Sequence, residues 1–274
     1  MALAPRSERP APAVRASRTA ALVRLGFREA TRGFVTWTTL GIGVILTTVL
    51  ALVFAPAVGR VPSPPIAELG AMASGTLAWG VCVTLAFAWS LAALANDRKN
   101  GVVDLLRSRG HGLDAYLGVR VSGLALLLVA VVTSGTFVVL GVASIVAGTA
   151  PAFADAARTF LATTVYAVAF ALVLATTTLA CFAARSRVVG YLILVVVLSL
   201  PDALGSFLEK YFSKAWVEVL SVTRATAALR EALSPPGIDG PRAARAGVVI
   251  ALFVVAALVA LRAQVKRSAR EVFS

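Results

Sequence analysis

Six apolar runs, most of them about 20 residues long, constrain this chain more than anything else in it. A helix of ~20 residues rises about 30 Å, the thickness of a bilayer's hydrocarbon core. Backbone N–H and C=O groups find no partners in lipid, so such runs satisfy themselves as α-helices. With 59% hydrophobic residues and a mean hydropathy of +0.87, the chain lies far outside soluble composition. The expected fold is therefore an all-α membrane protein with six transmembrane helices. They are read at Phe34–Ala55, Met72–Ala95, Val121–Gly148, Thr159–Ala184, Val188–Leu204 and Ala243–Leu261. A brief loop holding Pro151 and Asp155 separates the third from the fourth.

Amphipathic segments flank these spans. Residues 1–18 are rich in Ala, Pro, Arg and Ser and read as a disordered tail. From Thr19 a helical period begins, with Arg24, Arg28 and Arg32 on one face and Val23, Phe27, Ala30 and Phe34 on another. An N-terminal helix lying along the lipid headgroups is expected, its arginines facing the phosphates. Between the fifth and sixth spans, residues 205–234 repeat Leu208, Tyr211, Phe212, Ala215, Trp216 and Val219 at helical spacing opposite Lys210, Lys214 and Glu218. This stretch predicts short interfacial helices lying at, or dipping into, the outer interface, with Tyr211 and Trp216 as anchors. The transmembrane domain is thus residues 19–265, followed by a basic tail at 266–274.

Charge sets the orientation. With both termini inside, the inner segments carry 18 of the 26 Lys and Arg residues and 6 of the 13 acids. The positive-inside rule favours that arrangement and explains the basic net charge through anionic lipid, without nucleic acid. Residues 96–120, the densest run of charge between spans, then face the cytoplasm.

The spans are read as free of ionisable side chains, which disfavours proton- or ion-coupled transport. No Gly-rich nucleotide loop, metal-ligand spacing or nucleophile–base pair occurs, so catalytic, cofactor and metal sites are all expected to be absent. Cys82 and Cys181 read as small buried hydrophobes, and His111 has no second histidine. Gly41, Gly43, Gly123, Gly135 and Gly141 allow close helix packing. Thr47, Thr84, Thr133, Thr176 and Thr177 are candidate cavity residues on polarity alone.

The stretch Asn96–Arg120 resembles a motif of the permease subunits of type-2 ABC exporters. Between their second and third spans these carry an acidic-Arg pair, Gly-Thr, Leu-Glu-Leu-Leu, Ser-x-Pro and a closing Leu-Gly-Lys. Here Asp97-Arg98 looks like the opening and Gly101-Val102-Val103-Asp104-Leu105-Leu106 like the centre. Ser108-Arg109-Gly110 and Leu117-Gly118-Val119-Arg120 are similar to the remainder. Val102, Gly110 and Arg120 depart from the usual Thr, Pro and Lys.

That resemblance implies a subunit that pairs with a second permease chain, as homo- or heterodimer, and with ABC ATP-binding subunits that hold ATP and Mg. It implies a plasma (inner) membrane location in bacteria, and an ATPase-contacting segment of Asp97, Arg98, Gly101, Val103, Asp104, Leu105, Leu106, Arg107 and Arg109. Val103 and Leu106 would fill an apolar notch while the charged residues pair at its rim. The residues by themselves leave two alternatives, an ATP-independent facilitator or secondary carrier, and a membrane assembly protein that moves nothing.

Overall fold

The structure, a computed structural model, describes residues 24, 26–28, 30–31, 33–54, 66–99, 102, 113–183, 187–234 and 238–271. Among them the chain is all helix and turn. Helix α1 spans Phe34–Phe54 and α2 Ile66–Thr76; a π-helical segment, Leu77–Cys82, joins α2 to α3, Val83–Lys99. Helices α4 (Leu113–Ala147), α5 (Ala150–Phe182) and α6 (Arg187–Leu208) follow. Two short helices, α7 (Lys214–Leu220) and α8 (Val222–Leu233), precede α9 (Gly240–Glu271). Six helices, counting α2 through α3 as one, are long and apolar enough to cross a membrane.

Helix α5 is the axis of the bundle, packing against α2, α3, α4, α6, α8 and α9. Of its apolar window 78% is buried, against 22% for α6 and 17% for α9. Its composition explains the difference. Ala167, Ala171, Ala175, Ala180 and the run Thr176–Thr178 are small and buried. Lipid tails are as apolar as leucine, so helices associate through close van der Waals approach, and small side chains permit it on all of α5 but the exposed stripe Leu161, Val165, Val168 and Leu172. Helices α6 and α9 instead turn Leu192, Val196, Val248, Leu252, Val255 and Val259 outward.

Several boundaries differ from those read in the sequence. The expected loop at Pro151 and Asp155 is already α5. Pro151 sits in the first turn, where its missing N–H removes no helix bond. The connection shrinks to Gly148 and Thr149, with Gly148 at φ +63°, the left-handed conformation that ends a helix without cost only for glycine. Helices α4 and α5, at 35 and 33 residues, are therefore longer than a bilayer requires. Helix α6 continues through Pro201 to Leu208. The spans are also less free of charge than expected: Asp202 lies inside 188–204 and Arg245 inside 243–261.

Two backbone approaches depend on glycine. A Cβ on Gly123 would collide with the backbone of Gly26, and one on Gly26 with the carbonyl of Val119, so the N-terminal segment lies directly against α4. A Cβ on Gly135 would strike Leu77 and Thr47. Gly43 is in tight contact with Val81, whereas Gly41 and Gly141 face open space. The N-terminal helical residues are amphipathic as expected, with Arg24 and Arg28 exposed. Their buried face, however, runs through Gly26 and Ala30 rather than through Phe27 and Phe34, which point outward. At Gly26 even a methyl group would be too large for this approach to α4. Arg32 and Val23 lie outside the described residues.

Candidate functional site

Asp97 stands two residues from the end of α3, and Arg120 in the third turn of α4. They flank the interval that the sequence singles out. The two helices meet here through one buried polar cluster. Arg120 donates from Nε to Asp97 Oδ2 at 2.8 Å and from Nη2 to Oδ1, a side-on fork that occupies both carboxylate oxygens. Tyr116, one helical turn before Arg120, donates its hydroxyl to Oδ2 at 2.5 Å. The guanidinium carbon lies 5.8 Å from the centre of the Trp89 ring and 5.9 Å from that of Tyr116.

The Arg120 and Asp97 side chains are only 11% and 7% exposed. Burying two charges carries a large desolvation cost, recovered only when the geometry is good and the remaining lone pairs are satisfied. The bidentate fork and the tyrosine meet that condition. Asp97 was expected to face a partner. It is instead committed within the chain, and it ties the opening of the Asn96–Arg120 stretch to its close. Arg262 of α9 bonds Asp114 at 2.9 Å at the same end of the bundle.

Val102 is helical and packs on the core. Gly101, Val103, Asp104, Leu105, Leu106, Arg107 and Arg109 lie outside the described residues, and of Arg98 only the helical backbone is described.

The opposite end is closed by arginine networks. After α6, helices α7 and α8 fold back against α5 and α6, so 205–234 does hold short helices, as expected. Trp216 and Tyr211 are 68% and 70% exposed. Ser221 caps α8 by accepting from the Arg224 backbone N–H. The Arg224 side chain donates to Asp202 at 2.9 Å, to Ser206 at 2.6 Å and to Glu209. Partial burial works against the charge of Arg224, but its bonds to Asp202 and Glu209 outweigh this and hold its pKa above the ordinary arginine value. Arg242 of α9 reaches Glu218 of α7 at 2.5 Å and Glu231 of α8 at 2.7 Å. This pins the short helices to α9.

Between these ends a small apolar cleft opens beside the π-helical segment. Trp79, Phe170, Val173, Leu198, Val222 and Thr226 are among the residues that line it. One extra residue in a helical turn swings the following side chain off the α-helical register, and such turns recur at functional sites. Here the segment carries Trp79 edge-on to Phe170, 5.4 Å between ring centres. None of the five threonines proposed from polarity lines this cleft. Each donates instead to a carbonyl of its own helix: Thr47 to Gly43, Thr84 to Gly80, Thr133 to Val129, Thr176 to Leu172 and Thr177 to Val173.

Sequence reasoning missed Tyr116, Trp89, Trp79, Phe170 and Arg230. For the first two a signal existed, because opposite charges at Asp97 and Arg120 bracket the charged interval, with Trp89 eight residues before Asp97 and Tyr116 four before Arg120. Cys82 and Cys181 are both buried, as expected. No protein-family model and no curated protein matches this chain.

Proposed function

We propose that this chain is the transmembrane permease subunit of an ATP-driven exporter of the type-2 ABC class. In this reading a separate ABC ATP-binding subunit holds ATP and Mg, and a second permease chain completes the complex. The termini and the 96–120 interval face the cytoplasm of a bacterial inner membrane. The observation that carries the reading is the Asp97–Arg120–Tyr116 clamp. A segment that transmits force must be anchored stiffly at both ends, and α3 and α4 are joined by three hydrogen bonds at the two points where the interval leaves and returns.

The interval then works as a lever. Its Val103 and Leu106 seat in the ATPase while Asp104, Arg107 and Arg109 pair at the rim. Movement on ATP-driven closure passes through the clamp into α3 and α4, and from α4 into α5, against which it packs along its length. The test is purification from native membranes. An ATP-binding subunit should accompany the chain and hydrolyse ATP, and Leu106→Asp should remove that subunit without affecting membrane insertion. An ATP-binding subunit retained undiminished by Leu106→Asp contradicts the docking site, and transport by the chain alone in liposomes without ATP contradicts the class.

A further inference from the structure

Arg230, near the end of α8, differs from the arginines around it. Arg224 and Arg242 are each held by two carboxylates, whereas Arg230 pairs with no carboxylate among the described residues. Its Nη1 donates to the Ala71 carbonyl of α2 at 2.9 Å, and its guanidinium lies 5.1 Å above the Tyr166 ring of α5. Nε is buried without a hydrogen-bond partner. The Nε–Nη2 edge is the one with which Arg120 grips both oxygens of Asp97. On Arg230 that edge has no protein acceptor among the described residues. A buried donor left unmade is costly, and a planar cationic fork is the shape that takes a carboxylate or phosphate side-on.

What adjoins the fork is apolar. Tyr166 stacks on Phe170 at 5.7 Å, and Phe170 meets Trp79 at 5.4 Å, which leads from Arg230 into the cleft lined by Phe170, Val173, Leu198 and Val222. Thr226, one turn before Arg230 on α8, lines the same cleft. A cation one helical turn beyond a cleft whose walls are aromatic and aliphatic matches a molecule with an anionic head and a hydrocarbon body. In a membrane bundle the abundant molecule of that chemistry is a lipid.

We propose that Arg230 and the Trp79–Phe170 cleft form a binding site for an anionic phospholipid. Arg230 takes the phosphodiester through Nε and Nη2, and an acyl chain lies against Phe170 and Leu198. Because Nε is closed off in this structure, entry of the head requires a small displacement of the Tyr166 ring or of the α2 turn at Ala71–Gly75, whose Gly75 leaves the guanidinium its room. The site does not depend on the chain being ATP-driven.

The test uses the full chain in phosphatidylcholine nanodiscs doped with a phosphatidylglycerol carrying a photoreactive group near the head. In wild type the adducts should map to 66–79 or 222–233. Excess unlabelled phosphatidylglycerol should suppress them, and excess diacylglycerol with the same chains should not. Arg230→Gln should lower labelling at these peptides about tenfold, the loss expected for one charge-assisted fork. Arg158→Gln, an exposed arginine of α5 outside the cleft, should leave labelling intact. Adducts confined to other peptides, suppression by diacylglycerol equal to that by phosphatidylglycerol, or labelling unchanged in a folded Arg230→Gln would each overturn the proposal. Should Arg230→Gln fail to fold, the wild-type competition decides alone.

Discussion

Asp97→Ala is the sharpest structural perturbation available in this molecule. It removes the acceptor of three hydrogen bonds, one from Tyr116 and two from Arg120, and leaves the Arg120 guanidinium, 11% exposed, without a counter-charge. Breaking a buried pair from one side costs about 3–5 kcal/mol, because the stranded charge has lost the interaction that offset its desolvation. Asp97→Asn keeps one acceptor but turns an amide donor toward a guanidinium donor, so about 2 kcal/mol is expected. Removing both charges together, as Asp97→Ala with Arg120→Met, should recover about 2 kcal/mol relative to the sum of the single changes, since neither variant charge is then stranded. The assay is reversible unfolding of the detergent-solubilised chain, read by tryptophan fluorescence and repeated for all four members of the cycle. A cost below about 1 kcal/mol for Asp97→Ala, or strict additivity in the double variant, would refute the clamp as described.

The remaining predictions concern other joints. Arg120→Lys keeps the charge but loses the fork and should cost about 1–2 kcal/mol in the same unfolding assay. Gly123→Val should push the N-terminal segment off α4, measured as faster tryptic cleavage at Arg24 and Arg28 with the rest of the chain still protected. Arg242→Ala releases Glu218 and Glu231 and should raise hydrogen exchange in α7 and α8 while leaving α5 unchanged. Ser90→Ala, which deletes the buried bond from Ser90 to Thr178 at 3.1 Å, should cost only about 0.6 kcal/mol, because a threonine that also bonds its own helix at Leu174 retains a partner.

Hydropathy made the spans legible because length and composition alone decide whether a helix crosses lipid. Their ends were harder to read. Proline at 151 looks like a loop, yet proline is harmless in a first turn, and the true break is the single left-handed Gly148. The short helices of 205–234 were readable from period and aromatic anchors. Their docking was not, because it depends on Ala169 and Val173 of α5 meeting Val222, Ala225 and Leu229 of α8, and on arginines that tie α8 to α6 and α7 to α9, Arg224 with Asp202 and Arg242 with Glu218. Asp97 was picked out as important for its place in a motif, but its partner is Arg120 at the motif's far end, a contact that no local pattern encodes. Polarity alone does not mark a threonine as cavity-facing, since a hydroxyl in a membrane helix usually bonds the carbonyl one turn back, as all five do here. Nothing in the sequence singles out the aromatic residues of the cleft, because it takes the π-helical turn to set Trp79 against Phe170.

One measurement bears most directly on the ATP-driven permease reading: a photo-crosslinking amino acid at Leu106, activated in native membranes. Cross-linking of residue 106 to an ATP-binding subunit is expected, together with its loss when Asp97→Ala loosens the interval's base. Cross-links only to lipid or to the chain's own helices, in a preparation that moves substrate without ATP, would contradict it.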